Sequence, residues 1–150
     1  MKSKLVTNVE GRVRLTVRSV RTGRVLKKTP WMPNLFTTAG KTHLLKLLIG
    51  ESDDIAQYCG VGSGTTAVNV ADTAVETELG RVSLTSYSRS GLVATLTYFF
   101  AGADCNGTWG NEGLLTASSG GTLCAHCLVS PTITKTTSKT VTLEHELTFS

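Results

Sequence analysis

Tyr58–Val82 reads YCGVGSGTTAVNVADTAVETELGRV. A short apolar run ends in Gly60, Gly62 and Gly64, a glycine at every second position. A Thr/Ala loop and a compact acidic segment follow. Thr73 and Glu76 have the spacing of a capping box, in which the hydroxyl and the carboxylate satisfy free N–H groups at a helix start. Ala74, Val75 and Leu79 would give a helical turn over 73–79 an apolar side, with Gly80 ending it and Arg81 opening the next strand. Strand, glycine corner, capped turn and strand thus form a crossover within a chain whose other segments are mostly strands.

Val13 to Val20 alternates. Val13, Leu15 and Val17 fall on one face, and Arg12, Arg14, Thr16 and Arg18 on the other. Thr22-Gly23 is a turn into Arg24–Lys28, making a basic hairpin. Pro30 and Pro33 flank Trp31-Met32 in an extended connector. Trp31 can anchor on the core, the commoner fate of a lone Trp beside prolines, or with Met32 on a neighbouring protein. Thr38 to Ile49 is the one clear amphipathic helix, capped by Thr37 or Thr38 and ended by Gly50, with Leu44, Leu47 and Leu48 on a shared face. Ile55–Val61 reads as a strand into the glycine corner.

Further on, Arg81–Ser88 and Leu92–Phe100 read as a hairpin turning at Arg89-Ser90-Gly91. Asp104–Gly113 reads as a loop, Leu114–Thr116 as a brief strand, Leu123–Val129 as a buried strand and Pro131–Lys139 as a projecting turn. Val141–Phe149 has the cleanest alternation, with Val141, Leu143, His145, Leu147 and Phe149 facing one way. Many short strands with turn signals between them imply a mainly β fold. The expectation is a single antiparallel, jelly-roll-like β-sandwich over 1–150, carrying one helix and a basic N-terminal hairpin at 1–28.

The chain has 150 residues, 40% hydrophobic and only 17% charged, a globular composition that allows a real core. The first residues, MKSKLVTNVEGRVR, hold no apolar export signal, and Leu44–Ile49 is too short to span a bilayer. A soluble protein made in the cytoplasm is expected. Residues 1–28 hold nine of the 15 basic residues against a single acid, Glu10, so this segment carries +8 and the remainder −4. Such a bipolar subunit attracts copies of itself, as in a homo-oligomer, or an acidic partner. The alternative is a solvated strand face, the usual meaning of a charge run. Arg12, Arg14, Arg18, Arg21 and Arg24, with Trp31 and Met32, are the candidate protein-interface residues.

Other motifs weigh against chemistry. Cys124-Ala-His-Cys127 is a CxxC, yet it lies in a strand pattern, where residues three apart point to opposite faces. With no export signal, the four cysteines, Cys59, Cys105, Cys124 and Cys127, read as reduced, mostly buried thiols without a metal. Gly60, Gly62 and Gly64 fit neither GxxxxGK[ST] nor GxGxxG, so close packing at a corner is the better reading. His43, His126 and His145 are scattered. His145, on an apolar strand face, reads as a satisfied core histidine. Asn106-Gly107-Thr108 matches a glycosylation sequon but is more simply a turn. No catalytic constellation and no cofactor site emerge.

In order, the motifs resemble those of small virion proteins of tailed bacteriophages. These are the GxGxG turn followed by a T-A…T-x-x-E segment and an arginine, here Thr73, Glu76 and Arg81; Asn34, Leu35, Thr37 and Gly40 before a leucine-rich helix; Asn106–Thr108 and Asn111–Leu114; Gly121–Leu123; and the final alternating strand. The resemblance implies a non-enzymatic virion part attached to capsid or tail proteins, either a head decoration (cement) protein or a tail or fibre-adaptor subunit. Two alternatives come from other classes. One is a nucleic-acid-binding module with Arg12, Arg14 and Arg18 as a phosphate track, though without aromatic residues for base stacking. The other is a carbohydrate- or receptor-binding sandwich using Trp31, Tyr87, Tyr98 or Trp109.

Overall fold

The structure, a computed structural model, describes residues 8–150; Lys2 and Lys4 of the basic segment lie outside the described residues. Ten strands and one helix follow one another as β1 (Val9–Ser19), β2 (Val25–Lys28), β3 (Met32–Phe36), α1 (Thr38–Leu48), β4 (Tyr58–Gly62), β5 (Glu78–Ser83), β6 (Ser86–Ser90), β7 (Val93–Phe100), β8 (Gly107–Leu115), β9 (Leu123–Lys135) and β10 (Lys139–Phe149). The fold is mainly β, as expected. All pairings are antiparallel, in a sheet ordered β5-β4-β8-β9-β3-β1-β10-β7-β6, with β2 on β1 off this path.

The sheet curls so that its two halves share one core. Val13, Leu15 and Val17 of β1, Tyr98 and Phe100 of β7, and Val141 and Leu143 of β10 pack with Cys59, Val61, Trp109, Leu114, Cys127 and Val129 from β4, β8 and β9. The Phe100 and Trp109 rings cross at 4.8 Å. β3 joins the halves by pairing with β1 through Met32–Asn34 and with β9 through Leu35 and Phe36. The Pro30–Pro33 stretch read as a connector is therefore partly a strand. Pro33 fits because its fixed φ is compatible with a short extended segment.

Thr37 caps α1, its hydroxyl accepting from Gly40 N–H at 2.9 Å and donating to Leu123 C=O at 2.6 Å. Gly40 lies against the Cys124 backbone, where a Cβ would collide, so the helix seats on β9. Leu44 and Leu47 cover one end of the core with Phe36, Leu96 and Leu147. Leu48 does not share that face: it is 81% exposed, because Gly40, His43, Leu44 and Leu47 form the inward stripe.

Four further expectations are corrected. No helix forms over 73–79; the chain turns at Glu76-Thr77 and enters β5 at Glu78, with Gly80 and Arg81 inside that strand. Arg81–Ser88 is not one strand: β5 pairs with β4, whereas β6 pairs with β7 at the opposite end of the sheet order. Asp104–Gly113 is not all loop, since β8 begins at Gly107 and is buried along most of its length. Pro131–Lys139 does not project as a unit, because β9 runs on to Lys135 and only the segment 136–138 turns. Among the described residues, no helix is long and apolar enough to cross a membrane.

Candidate protein-interaction surface

The basic hairpin is present over its described part. Ser19 and Arg24 close it through a backbone hydrogen bond, Gly23 takes φ +70°, and β2 pairs only with β1. Its cations divide into two groups. On the outward face of β1, Arg12 bonds Glu146 at 2.8 Å and Arg14 bonds Glu144 at 2.7 Å, the partners standing directly opposite on β10. Both guanidiniums also lie over the Trp31 ring, at 4.3 and 4.4 Å from its centroid. Trp31 is thus half-buried beneath two arginines rather than set in the core. Arg18 reaches the Thr142 hydroxyl at 3.4 Å. The second group, Arg21, Arg24, Lys27 and Lys28, is exposed, and none forms an ion pair among the described residues.

Met32 departs from the expected interface. It is 6% exposed and belongs to the core, because alternation in β3 turns Met32, Asn34 and Phe36 inward together. Tyr98 and Trp109, candidates for stacking on a sugar, are fully buried, and their polar atoms donate to Ala56 C=O and Cys105 C=O. Tyr87 is exposed on β6.

The glycine corner is a packing device. A Cβ on Gly62 would collide with Glu76 C=O, one on Gly64 with the Glu76 side chain, and one on Gly60 would lie 2.9 Å from a Leu115 methyl. Glu76 makes no capping box with Thr73. Its carboxylate instead accepts from the Thr66 N–H at 3.0 Å and the Thr66 hydroxyl at 2.7 Å. Arg81 pairs with Glu78 and donates to Ala117 and Gly120 carbonyls, tying β5 to the loop before β9.

Asn111, opposite Gly62 on β8, holds this corner from below. Its Nδ2 donates to Gly64 and Glu76 carbonyls at 3.0 and 2.9 Å, and its Oδ1 accepts from Glu76 N–H at 3.0 Å. That arrangement leaves Oδ1 facing His126 Nε2 at 2.8 Å, while His126 Nδ1 lies 2.7 Å from the Asp72 carboxylate. Oxygen atoms of Asn111 and Asp72 thus face the two ring nitrogens. Burial raises the Asp72 pKa, but the Asn69 N–H and the His126 ring outweigh it and hold the carboxyl below its ordinary value.

A second polar cluster is entirely interior. His145 on β10 and Glu112 on β8 are both 0% exposed, with Nε2 and Oε2 2.8 Å apart. The Cys59 thiol donates to the same carboxylate oxygen at 3.4 Å, and Asn34 meets His145 Nδ1 at 3.0 Å. Three metal-ligand types converge here, with donor atoms within 4.8 Å of one another. The Glu112–His145 separation is that of a shared proton; donors arranged tetrahedrally about zinc at ~2.0–2.1 Å would stand farther apart. His145 is a core histidine with a hydrogen-bond partner at each ring nitrogen, Asn34 and Glu112, and Glu112 was hidden in a segment read as loop.

All four cysteines are free thiols. Burial pushes Cys59 and Cys127 well up, and Cys105 and Cys124 up to about 11. Cys124 and Cys127 lie within β9, where alternation separates their side chains. No protein-family model, curated protein or solved structure matches the chain.

Proposed function

We propose that the chain is a non-enzymatic structural subunit of a tailed-phage virion, in the virion rather than free in the host cytoplasm where it is made. It attaches to capsid or tail proteins by protein–protein contacts, as a head decoration (cement) protein or a tail or fibre adaptor. On this reading the curled sheet is a jelly-roll-like sandwich that presents a docking hairpin. The ordered motifs that resemble small virion proteins support the phage setting. The observation that carries the attachment role is the set of four exposed cations with no ion-pair partner among the described residues, Arg21 and Arg24 in the hairpin turn and Lys27 and Lys28 on β2, which pairs only with β1. The nucleic-acid reading is weaker for the same geometry: Arg12 and Arg14, two of its three phosphate contacts, are already matched by carboxylates.

The test is a variant carrying Arg21→Glu, Arg24→Glu, Lys27→Glu and Lys28→Glu. It folds as wild type, because these side chains hold nothing among the described residues, and it is lost from particles. Wild-type occupancy of particles in low and high salt overturns the attachment role. Loss of DNA retention by the same variant, with particle occupancy unchanged, selects the nucleic-acid reading.

A further inference from the structure

The two ends of β1 carry complementary surfaces that have no partner among the described residues. At its C-terminal end, the hairpin presents Val20, Val25 and Leu26, all more than half exposed, among Arg21, Arg24, Lys27 and Lys28. No carboxylate lies between Ser19 and Lys28. At the other end, Leu44, Leu45 and Leu48 of α1 line an open groove with Val9 and Phe149, and Leu45, Leu48 and the C-cap residue Ile49 turn outward, at the i, i+3, i+4 spacing of one helix face. Exposed Ile55 and the carboxylates Glu51, Asp53 and Asp54 follow directly. Lys41 and Lys46 offer two cations against these three acids, and the helix C-terminus adds its own partial negative charge.

We infer that the hairpin of one copy docks on the α1 C-terminal end and the 51–55 loop of a second copy of this chain. This inference rests on the structural-subunit reading and gives it a specific self-contact. Apolar side chains meet apolar side chains, and four cations meet three carboxylates, so charge orients the encounter while burial of Leu48, Ile49, Val25 and Leu26 holds it. The two surfaces differ, and they sit at opposite ends of a strand about 33 Å long at ~3.3 Å per residue. The contact is therefore head to tail. A heterologous contact of this kind closes into a ring where its rotation permits, and otherwise runs on as an open chain.

Sedimentation and light scattering of the purified full-length chain, over a range of concentration and salt, provide the test. Wild type is expected as multiples of 15.9 kDa that shrink as salt rises. Arg21→Glu with Arg24→Glu gives a monomer, and Asp53→Lys with Asp54→Lys gives a monomer. An equimolar mixture of those two variants reassembles, because each then offers the surface the other lacks. Leu48→Ser or Leu26→Ser weakens assembly without any change of charge, and near-ultraviolet circular dichroism shows that each variant is folded. A wild type that is monomeric throughout overturns the contact, as does an Asp53→Lys/Asp54→Lys variant that assembles normally, which would point to hairpin-on-hairpin pairing. Particle incorporation is read separately. A chain that is monomeric alone yet present in particles overturns the head-to-tail contact and leaves the virion role standing. A chain that assembles alone yet is absent from particles supports the contact and overturns the virion role.

Discussion

Glu112 and His145 meet at 2.8 Å across the interior of the curled sheet, one from each half, with neither side chain reaching solvent. A buried pair of this kind is costly to break because the survivor is stranded. His145→Leu leaves Glu112 with only the Cys59 thiol, and is expected to cost about 3–5 kcal/mol. Glu112→Leu strands His145 in the same way. The double variant is expected to be more stable than either single one, since two apolar side chains need no partner. Urea unfolding of all four proteins gives the coupling; additive losses would show that the two side chains act independently.

The Asp72–His126–Asn111 chain gives the glycine corner a pH dependence with a definite sign. The folded Asp72 carboxyl lies below its ordinary value of 3.8. Its contribution to stability is therefore complete above that value and is lost as pH falls through the folded value. Asp72→Asn removes this part of the acid loss and leaves a flatter profile at the acid end. Unfolding midpoints measured at several acid pH values check it: parallel profiles for wild type and variant would remove Asp72 from the account.

Legibility followed alternation. Val13, Leu15, Val17, Val141, Leu143 and His145 could be placed on inner faces because their neighbours are polar and outward. β8 could not be read, because its inner face carries Glu112 and its other buried positions include Asn111, Gly110 and Gly113, a composition that looks like a loop until its partners are known. The capping-box spacing of Thr73 and Glu76 misled for a related reason. Glu76 has a nonlocal partner in Asn111 and a loop partner in Thr66, and these outweigh a helical turn too short to stand alone. The hairpin charge was visible in the chain, but its division into paired Arg12 and Arg14 and exposed Arg21 and Arg24 depends on β10 lying alongside β1.

The corner glycines are expected to fail in a graded way. Gly62→Ala places a Cβ on the Glu76 backbone, which has no rotamer to yield, and should cost about 1–3 kcal/mol. Gly60→Ala meets a Leu115 methyl that can turn aside, and should cost less. Equal thermal stabilities for both variants and wild type would show that the corner tolerates the added volume.

Thiol chemistry separates the folded and unfolded chains. With every cysteine shifted upward by burial, native protein near neutral pH should react slowly with a disulfide reagent, and denatured, unreduced protein should release four thiols. A chelator should leave the melting temperature unchanged. Fewer than four thiols would show a disulfide, and stoichiometric zinc by elemental analysis with a chelator-induced fall in melting temperature would show a metal, for which Cys59, Glu112 and His145 are the candidate ligands.

Arg12 and Arg14 are expected to behave as structural residues, unlike the other cations of the hairpin. Each pairs with a glutamate on β10 and lies over Trp31, so reversing its charge sets like charges opposite each other and uncovers the indole. Surface ion pairs contribute roughly 0–1 kcal/mol and exposed cation–π contacts about 0.5–1 kcal/mol, so Arg12→Glu with Arg14→Glu should lower stability by a few kcal/mol at most. Trp31 fluorescence should shift to the red as the ring is exposed. Arg21→Glu with Arg24→Glu, which touches none of these partners, should leave Trp31 emission unchanged, and should leave stability unchanged at concentrations where wild type is itself monomeric. If the two double variants were indistinguishable in stability and emission, the division of the hairpin into a clasp on Trp31 and a free docking end would not hold.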